Sequence, residues 1–305
     1  MKEAWIIANP GSGNNQGEAI ASELKAHLAP HFDEVTAHYT KEAHDGTKFA
    51  KAASEAHVHS LFVVGGDGTI HEAINGLGGA DYRPTVGFLP GGTNNTFAKL
   101  FNMPMDMQQA IESLDLEHTA ELEIGKCNDS YFFYYASFGK LIEATTGTSS
   151  EEKSKWGPLA YLHSILHALP NDESRKIRVT TDNGDYEEDA SLVYCMLTNK
   201  IGNLTIGNET GSLQDGKMHI VIAKSEMTST KLSALFDLAV GNLENNEDVT
   251  LITCSEATIE ASDGDTVEID LDGNVEEALP IQLTLLPDHI EYYLPKQVNE
   301  EVASE

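Results

Sequence analysis

Two textures of apolar and polar positions divide this chain. Over roughly the first hundred residues, short apolar runs end in glycine-rich turns and are followed by apolar residues at helical spacing. Trp5 to Ala8 runs into Asn9-Pro10-Gly11-Ser12-Gly13, and Ile20, Leu24 and Leu28 then mark one buried helix face. Leu61 to Val64 runs into Gly65-Gly66-Asp67-Gly68-Thr69, and the spacing of Ile74 and Leu77 predicts a helix from Ile70. Val86 runs through Pro90-Gly91-Gly92-Thr93 into a helix carrying Phe97, Leu100 and Phe101. Repeated strand–turn–helix order predicts an α/β layer around a parallel sheet.

From about Glu121 the pattern becomes strand-like. The runs are Tyr131 to Ala136, Lys176 to Thr181, Ser191 to Thr198, Met218 to Ala223, Thr250 to Thr253, Ala257 to Ala261, Thr266 to Leu271, Ile281 to Leu286 and Ile290 to Leu294. Turn signals such as Asp182-Asn183-Gly184-Asp185 and Asp272-Gly273-Asn274 separate them. Helices are expected from Pro158 to Leu169 and near Thr230 to Val240. The second half thus reads as an antiparallel β-sandwich, giving two domains with boundaries near 1–125 and 126–290.

Glycine loops at the carboxyl ends of parallel strands share one crevice. There the backbone approaches a phosphate closely, and a helix N-terminus offers free N–H groups to it. Asp67 inside such a turn would repel phosphate unless a metal or water network bridges the two. Read alone, the same residue is equally a turn former or a helix cap.

The 305-residue chain carries a formal charge of −30, which excludes nucleic acid as a partner. That charge also disfavours electrostatic attachment to an anionic membrane, so contact with a bilayer has to be local and apolar. Phe101 to Met107 and Ser154 to Leu169, headed by Lys153, Lys155 and Trp156, are the candidate surfaces; core-facing helices are the alternative. The three cysteines, Cys127, Cys195 and Cys254, have neither disulfide-framework nor zinc spacing, and the histidines follow no metal motif. A cytoplasmic setting fits, with peripheral contact at the inner membrane face. The apolar patch after Lys2 is too short for a signal peptide, and no apolar run spans a bilayer. No protein partner is indicated, and a homodimer is left open.

Asn9-Pro10-Gly11-Ser12-Gly13, the GGDGTIHEAINGL segment from Gly65 and the LPGGTNNTFAKLF segment from Leu89 resemble the ordered motifs of the diacylglycerol kinase catalytic-domain superfamily. Tyr134 to Ala144, Leu213 to Ala223 and Ile269 to Pro295 resemble its later segments, so the resemblance covers nearly the whole chain. It implies a Rossmann-like first domain with NAD-kinase/diacylglycerol-kinase topology, a lipid-substrate sandwich, and return of residues from about 290 to the first domain.

It further implies ATP- and Mg²⁺-dependent phosphoryl transfer to the hydroxyl of diacylglycerol or a related lipid at a membrane surface. The positions matched to nucleotide contacts are Asn9, Pro10, Gly11, Ser12, Gly13, Thr40, Gly65, Gly66, Asp67, Gly68, Thr69, Glu72 and Thr93. Asp215, flanked by backbone oxygens of Ser212 and Lys217, matches the metal position; its other reading is a hairpin turn.

The catalytic positions are Asp67, Asp272 and Asn274. Asn274 stands where the family places a glutamate general base, and an amide cannot take a proton. Asn94-Asn95 and Lys140-Leu141 likewise replace expected acids, which makes Asp67 the better proton acceptor. The alternatives are an NAD kinase-like phosphotransferase and a catalytically impaired nucleotide- or lipid-binding homologue.

Overall fold

The computed structural model describes residues 1–93, 95–138, 174–198, 200–201, 204–205, 216–224, 249–262, 264 and 266–296. They fall into two units: Met1–Ile124 with the chain from Pro287, and Gly125–Leu286.

The first unit is an α/β layer. Its elements are β1 (Glu3–Ala8), α1 (Ser12–Asn15), α2 (Gly17–Leu28), β2 (Glu34–Tyr39), α3 (Asp45–Glu55), β3 (Ser60–Gly65), α4 (Asp67–Gly78), β4 (Thr85–Pro90), α5 (Thr96–Leu100) and α6 (Met107–Ser113). Parallel pairing sets the order β4-β3-β1-β2. Ala8 lies opposite Val64, and Val64 opposite Leu89. All three glycine loops therefore leave the same edge of the sheet. Every residue of β3 is buried, as expected for a parallel strand covered on both faces. Ile20, Leu24 and Leu28 pack with Ile6, Phe62 and Val64 in the core.

Helix α4 starts at Asp67, not Ile70, so Asp67-Gly68-Thr69 form its first turn. The apolar period reports only the buried face, and a helix start is polar because its N–H groups lack intrahelical partners. The helix expected after the third loop is α5, and a further short helix, α6, follows it. Phe101 and Met103, placed on a candidate membrane surface, are buried in this unit; Met105 is exposed.

Two long strands cross the unit boundary. No strand was expected at β5 (Leu114–Cys127), and the two expected at the end of the chain are one, β17 (Ile281–Pro295). Pro287 and Asp288, the latter at φ 48°, interrupt the alternation without ending the strand. Tyr292 pairs in parallel with Val86 of β4, and the Tyr293 ring stacks on Phe62 with centroids 5.6 Å apart.

The second unit is mainly antiparallel. It contains β6 (Ser130–Phe132), β7 (Tyr135–Phe138), β8 (Arg175–Thr181), β9 (Gly184–Met196), β10 (Lys200–Ile201), β11 (Leu204–Thr205), β12 (Met218–Lys224), β13 (Val249–Cys254), β14 (Glu256–Ala261), β15 (Glu268–Leu271) and β16 (Asn274–Ala278). The order is β16-β15-β7-β9-β8-β14-β17, with β12 joining β9 to β13. Phe132, Val179, Val193, Ile220, Ile259 and Leu283 contribute to its core. The three cysteines belong to the same core, and burial pushes the Cys127 and Cys254 thiols up to about 12. They are protonated packing residues.

The helices expected at Pro158–Leu169 and Thr230–Val240, with the candidate surface that includes Trp156, lie outside the described residues.

Candidate active site

The first loop is shaped by Asn9. Its Oδ1 accepts from Gly11 N at 2.9 Å, and its carbonyl accepts from Ser12 N at 2.9 Å. Gly17 is required here, because a Cβ would overlap the Asn9 carbonyl oxygen.

The second and third loops pack through bare backbone. Gly91 N donates to Gly65 O at 2.8 Å. A Cβ on Gly91 would sit 2.9 Å from Ser12 Cβ and 3.0 Å from Gly65 Cα. The three loops thus meet at Ser12, Gly65 and Gly91. Gly68 is different: nothing lies within 4 Å of the position its Cβ would take. Packing does not require glycine there.

Asn95 closes the third loop. Its Oδ1 accepts from Gly92 N and its Nδ2 donates to Gly92 O, both at 2.8 Å. It is buried and has φ 49°, a left-handed conformation that asparagine tolerates. The amide standing where an acid was expected thus satisfies both backbone groups of Gly92. An aspartate could not donate the second bond.

The loops enclose a cleft of about 850 Å³. From the expected set, Asn9, Gly11 and Ser12 line it on the first loop, Gly66, Gly68, Thr69 and Glu72 on the second, and Thr93 on the third. Asn15, Gly91 and Gly92 also line it. The Gly-Gly pair and the asparagine run were the available signals for these three. Pro10, Gly65, Asp67 and Thr40 are not on the lining; Gly13 belongs to α1. Thr40 N donates to Ala8 O at 3.0 Å, extending the β1–β2 pairing.

Each acid nearby has an identifiable partner. Asp67 Oδ1 accepts from Phe97 N, in the first turn of α5, at 3.2 Å. Glu72 Oε1 and Oε2 accept from His44 N and Gly46 N, each at 2.9 Å, at the start of α3. Asp45 Oδ2 accepts from Lys41 N and Glu42 N. Those backbone bonds, with Lys48, hold its pKa down at about 2. Among the described residues, the lining includes one carboxylate and neither lysine nor arginine.

In the second unit, Asp272 and Asn274 flank the tight turn between β15 and β16. Leu271 pairs with Asn274, and Asp272 and Gly273 both have positive φ, 55° and 96°. Such a two-residue turn matches the right-handed strand twist. The Asp272 carboxylate is buried and accepts from three backbone N–H groups, those of Phe133, Tyr134 and Tyr135, at 2.9–3.0 Å. This divides the run Tyr131–Ala136 into β6 and β7, because Phe133 N and Tyr134 N are directed to the carboxylate. Asn274 Nδ2 reaches Leu271 O at 3.4 Å. Lys217 is exposed just before β12, while Ser212 and Asp215 lie outside the described residues.

The family model of the diacylglycerol kinase catalytic domain matches residues 3–127. That of the YegS C-terminal NAD kinase beta sandwich-like domain matches residues 141–293. A Streptococcus pneumoniae protein that carries a lipid kinase name is 35% identical over 293 residues, 96% of this chain and 98% of that one. A Staphylococcus epidermidis diacylglycerol kinase is 30% identical over 302 residues, 99% of this chain and 95% of that one. The crystal structure of a diacylglycerol kinase from Bacillus anthracis superposes with a TM-score of 0.77 at 27% identity, covering 97% of this chain and 98% of that one. With both halves and the full length matched, the chain belongs to the diacylglycerol kinase family of lipid kinases, phosphotransferases with an alcohol acceptor.

Proposed function

We propose that this protein is an ATP- and Mg²⁺-dependent kinase that phosphorylates the hydroxyl of diacylglycerol or a related lipid, working from the cytoplasm at the membrane surface. The observation that carries the nucleotide half of this reading is Gly68. It sits in the first turn of a twelve-residue helix, on the cleft, with open space where a side chain would be. A glycine free of packing demands at a helix start suits close approach of a phosphate. Asn9, Ser12, Thr69 and Thr93 add hydroxyl, amide and backbone donors around it. Pro10, Gly11, Gly13, Gly65 and Gly66 shape the loops, and Thr40 and Glu72 belong to the nucleoside side.

Among the described residues no three His, Cys, Asp or Glu side chains form a metal cluster. Magnesium fits nonetheless, because it is commonly held by one or two carboxylates together with the substrate's phosphates. Asp67 is the carboxylate beside the cleft with an oxygen to offer, and Asp215 with the backbone oxygens of Ser212 and Lys217 is the motif-matched set. Bound there, the cation would neutralise phosphate charge that no lysine or arginine among the described lining residues offsets.

In the transfer, the lipid hydroxyl oxygen bonds to the γ-phosphorus, and the bond to the oxygen bridging to the β-phosphate breaks to release ADP. Asp67 is the proposed proton acceptor. Its Oδ1 is fixed by Phe97 N, and Oδ2 has no partner among the described residues. Asp272, saturated by three N–H groups, holds the turn that presents Asn274.

One observation favours a second reading, an impaired homologue that binds nucleotide without transfer: Asn274 stands at the expected base. Transfer of labelled γ-phosphate to diacylglycerol, monoacylglycerol, ceramide or sphingosine in mixed micelles supports the kinase reading. Nucleotide binding without transfer to any of them supports the second, and absence of nucleotide binding removes both.

A further inference from the structure

Glu72 differs from the other residues of the cleft in binding a neighbouring helix with both carboxylate oxygens. Oε1 accepts from His44 N and Oε2 from Gly46 N, each at 2.9 Å, while the Glu72 carbonyl accepts from Thr47 Oγ1 at 2.9 Å. These groups form the first turn of α3, whose cap residue His44 is held at φ 65° and makes no side-chain cap of its own. Glu72 therefore supplies the missing cap from α4. Gly46 must be glycine for this contact, since a Cβ would lie 2.7 Å from Glu72 Oε2. On the other side of His44, Asp45 folds the chain back by accepting from Lys41 N and Glu42 N. The loop from Thr40 to His44 is thus pinned at both ends.

Two consequences follow for charge. The positive end of α3 is occupied by Glu72 and is not a second phosphate site. In turn, a carboxylate on the lining is compensated by two N–H groups and a helix dipole, so it stands beside an anion at reduced cost.

We infer that Glu72 is a positioning residue: by capping α3 it fixes the loop between β2 and α3 relative to α4 and so holds in place the part of the nucleotide cleft that Glu72 itself lines. This rests on the nucleotide reading of the cleft. Glu72→Gln is the informative variant, because it keeps the length but turns one acceptor toward an N–H as a second donor.

Hydrogen exchange of the segment from Thr40 to Lys48, measured without nucleotide, should be faster in the variant at the His44 and Gly46 amides. The ATP KM should rise by about tenfold, the value of one charge-assisted bond, with the loss in KM rather than kcat and the lipid KM unmoved. Calorimetric titration with Mg-ATP gives the same ratio independently of lipid turnover. Equal exchange in both proteins overturns the inference, as does an unchanged ATP KM. Faster exchange with equal losses in ATP KM, lipid KM and kcat makes Glu72 a general stability residue and also overturns it. Wild-type protein that binds no nucleotide overturns the cleft reading and this inference together, whereas wild-type binding with an unaffected variant overturns this inference alone.

Discussion

Gly66 and Gly92 meet backbone to backbone. A methyl on Gly92 would lie 2.5 Å from Gly66 Cα, and one on Gly66 would lie 3.0 Å from Gly92 Cα. The second and third loops are consequently one packed body, with α4 on one side and Asn95 on the other.

That contact separates two kinds of glycine. Gly92→Ala forces the loops apart and should cost about 1–3 kcal/mol of stability, the range for overpacking. Gly68→Ala meets open space within a helix, where alanine is favoured over glycine, so the fold should be equally or slightly more stable. Its methyl instead occupies the space proposed for phosphate. Denaturant unfolding and calorimetric Mg-ATP titration should therefore move in opposite directions for Gly68→Ala. Unaltered nucleotide affinity would remove Gly68 from the ligand surface.

Asp67 combines an anchoring bond with the proposed chemistry, and two substitutions divide them. Asp67→Asn keeps an oxygen for Phe97 N but cannot take a proton. It should unfold at nearly the wild-type midpoint while losing about 10²-fold or more in turnover. Asp67→Ala also removes the anchor of α5 and should lower the unfolding midpoint. Should Asp67→Asn keep full turnover while Asn274→Glu gains activity, Asp67 is not the base and position 274 is a base position that Asn274 leaves impaired.

Asp272 carries the opposite expectation. Removing its carboxylate leaves buried N–H groups at Phe133, Tyr134 and Tyr135 without their acceptor. Hydrogen bonds to a charged group contribute about 1.5–3 kcal/mol each, less than additively, so Asp272→Ala should destabilise by about 3 kcal/mol or more. Solvent exchange at those three amides should rise. A well-folded Asp272→Ala with lost turnover would instead assign the residue to chemistry.

How much of this was legible follows from sequence separation. The strand–glycine turn–helix units are local patterns, and the loops that line the cleft could be read from them. The partners of the acids could not. Asp272 acts on residues almost one hundred and forty positions away, Glu72 on a helix before its own strand, and Asp67 on the third loop. Asn95 read as a missing acid because the pattern does not show that Gly92 needs an acceptor and a donor together. The single strand β17 was also hidden, since Pro287 and Asp288 imitate a terminator in sequence. Pairing with β4 and β5 and the core contacts of Tyr293 keep the chain extended beyond them.

Histidines of the first unit set a stability slope with pH. Burial lowers the pKa of His38, His59 and His289, the last also held at Gly78 O at 2.7 Å. The unfolded chain titrates near 6.5, above the folded values, so it binds more protons as pH falls through that point. Stability should be complete above about pH 7 and decline below 6.5, flattening once the folded rings are protonated. His289→Gln retains a donor for Gly78 O without the titration, and its unfolding midpoint should fall less between pH 7 and 5. Equal falls in both proteins would exclude His289 as a contributor.

The charge of the whole molecule makes the last expectation unusual in sign. A site lined by lysine or arginine loses anion affinity as salt rises, because screening weakens attraction. Here the described lining offers Glu72 and uncharged donors, the hydroxyl, amide and backbone groups, and the chain around it carries a formal −30. Long-range interaction with a nucleotide, still negative as its magnesium complex, is therefore repulsive. The attraction comes from hydrogen bonds at contact distance, which salt screens little. Raising NaCl from about 0.05 to 0.3 M shortens the Debye length from roughly 14 to 6 Å and removes repulsion before attraction. The Kd for Mg-ATP, measured by calorimetry at fixed free magnesium, should hold steady or tighten across that range. A Kd that weakens steeply would mean that a cationic side chain reaches the phosphates, and Lys99 on α5, the basic residue in the helix after the third loop, would be the first to substitute.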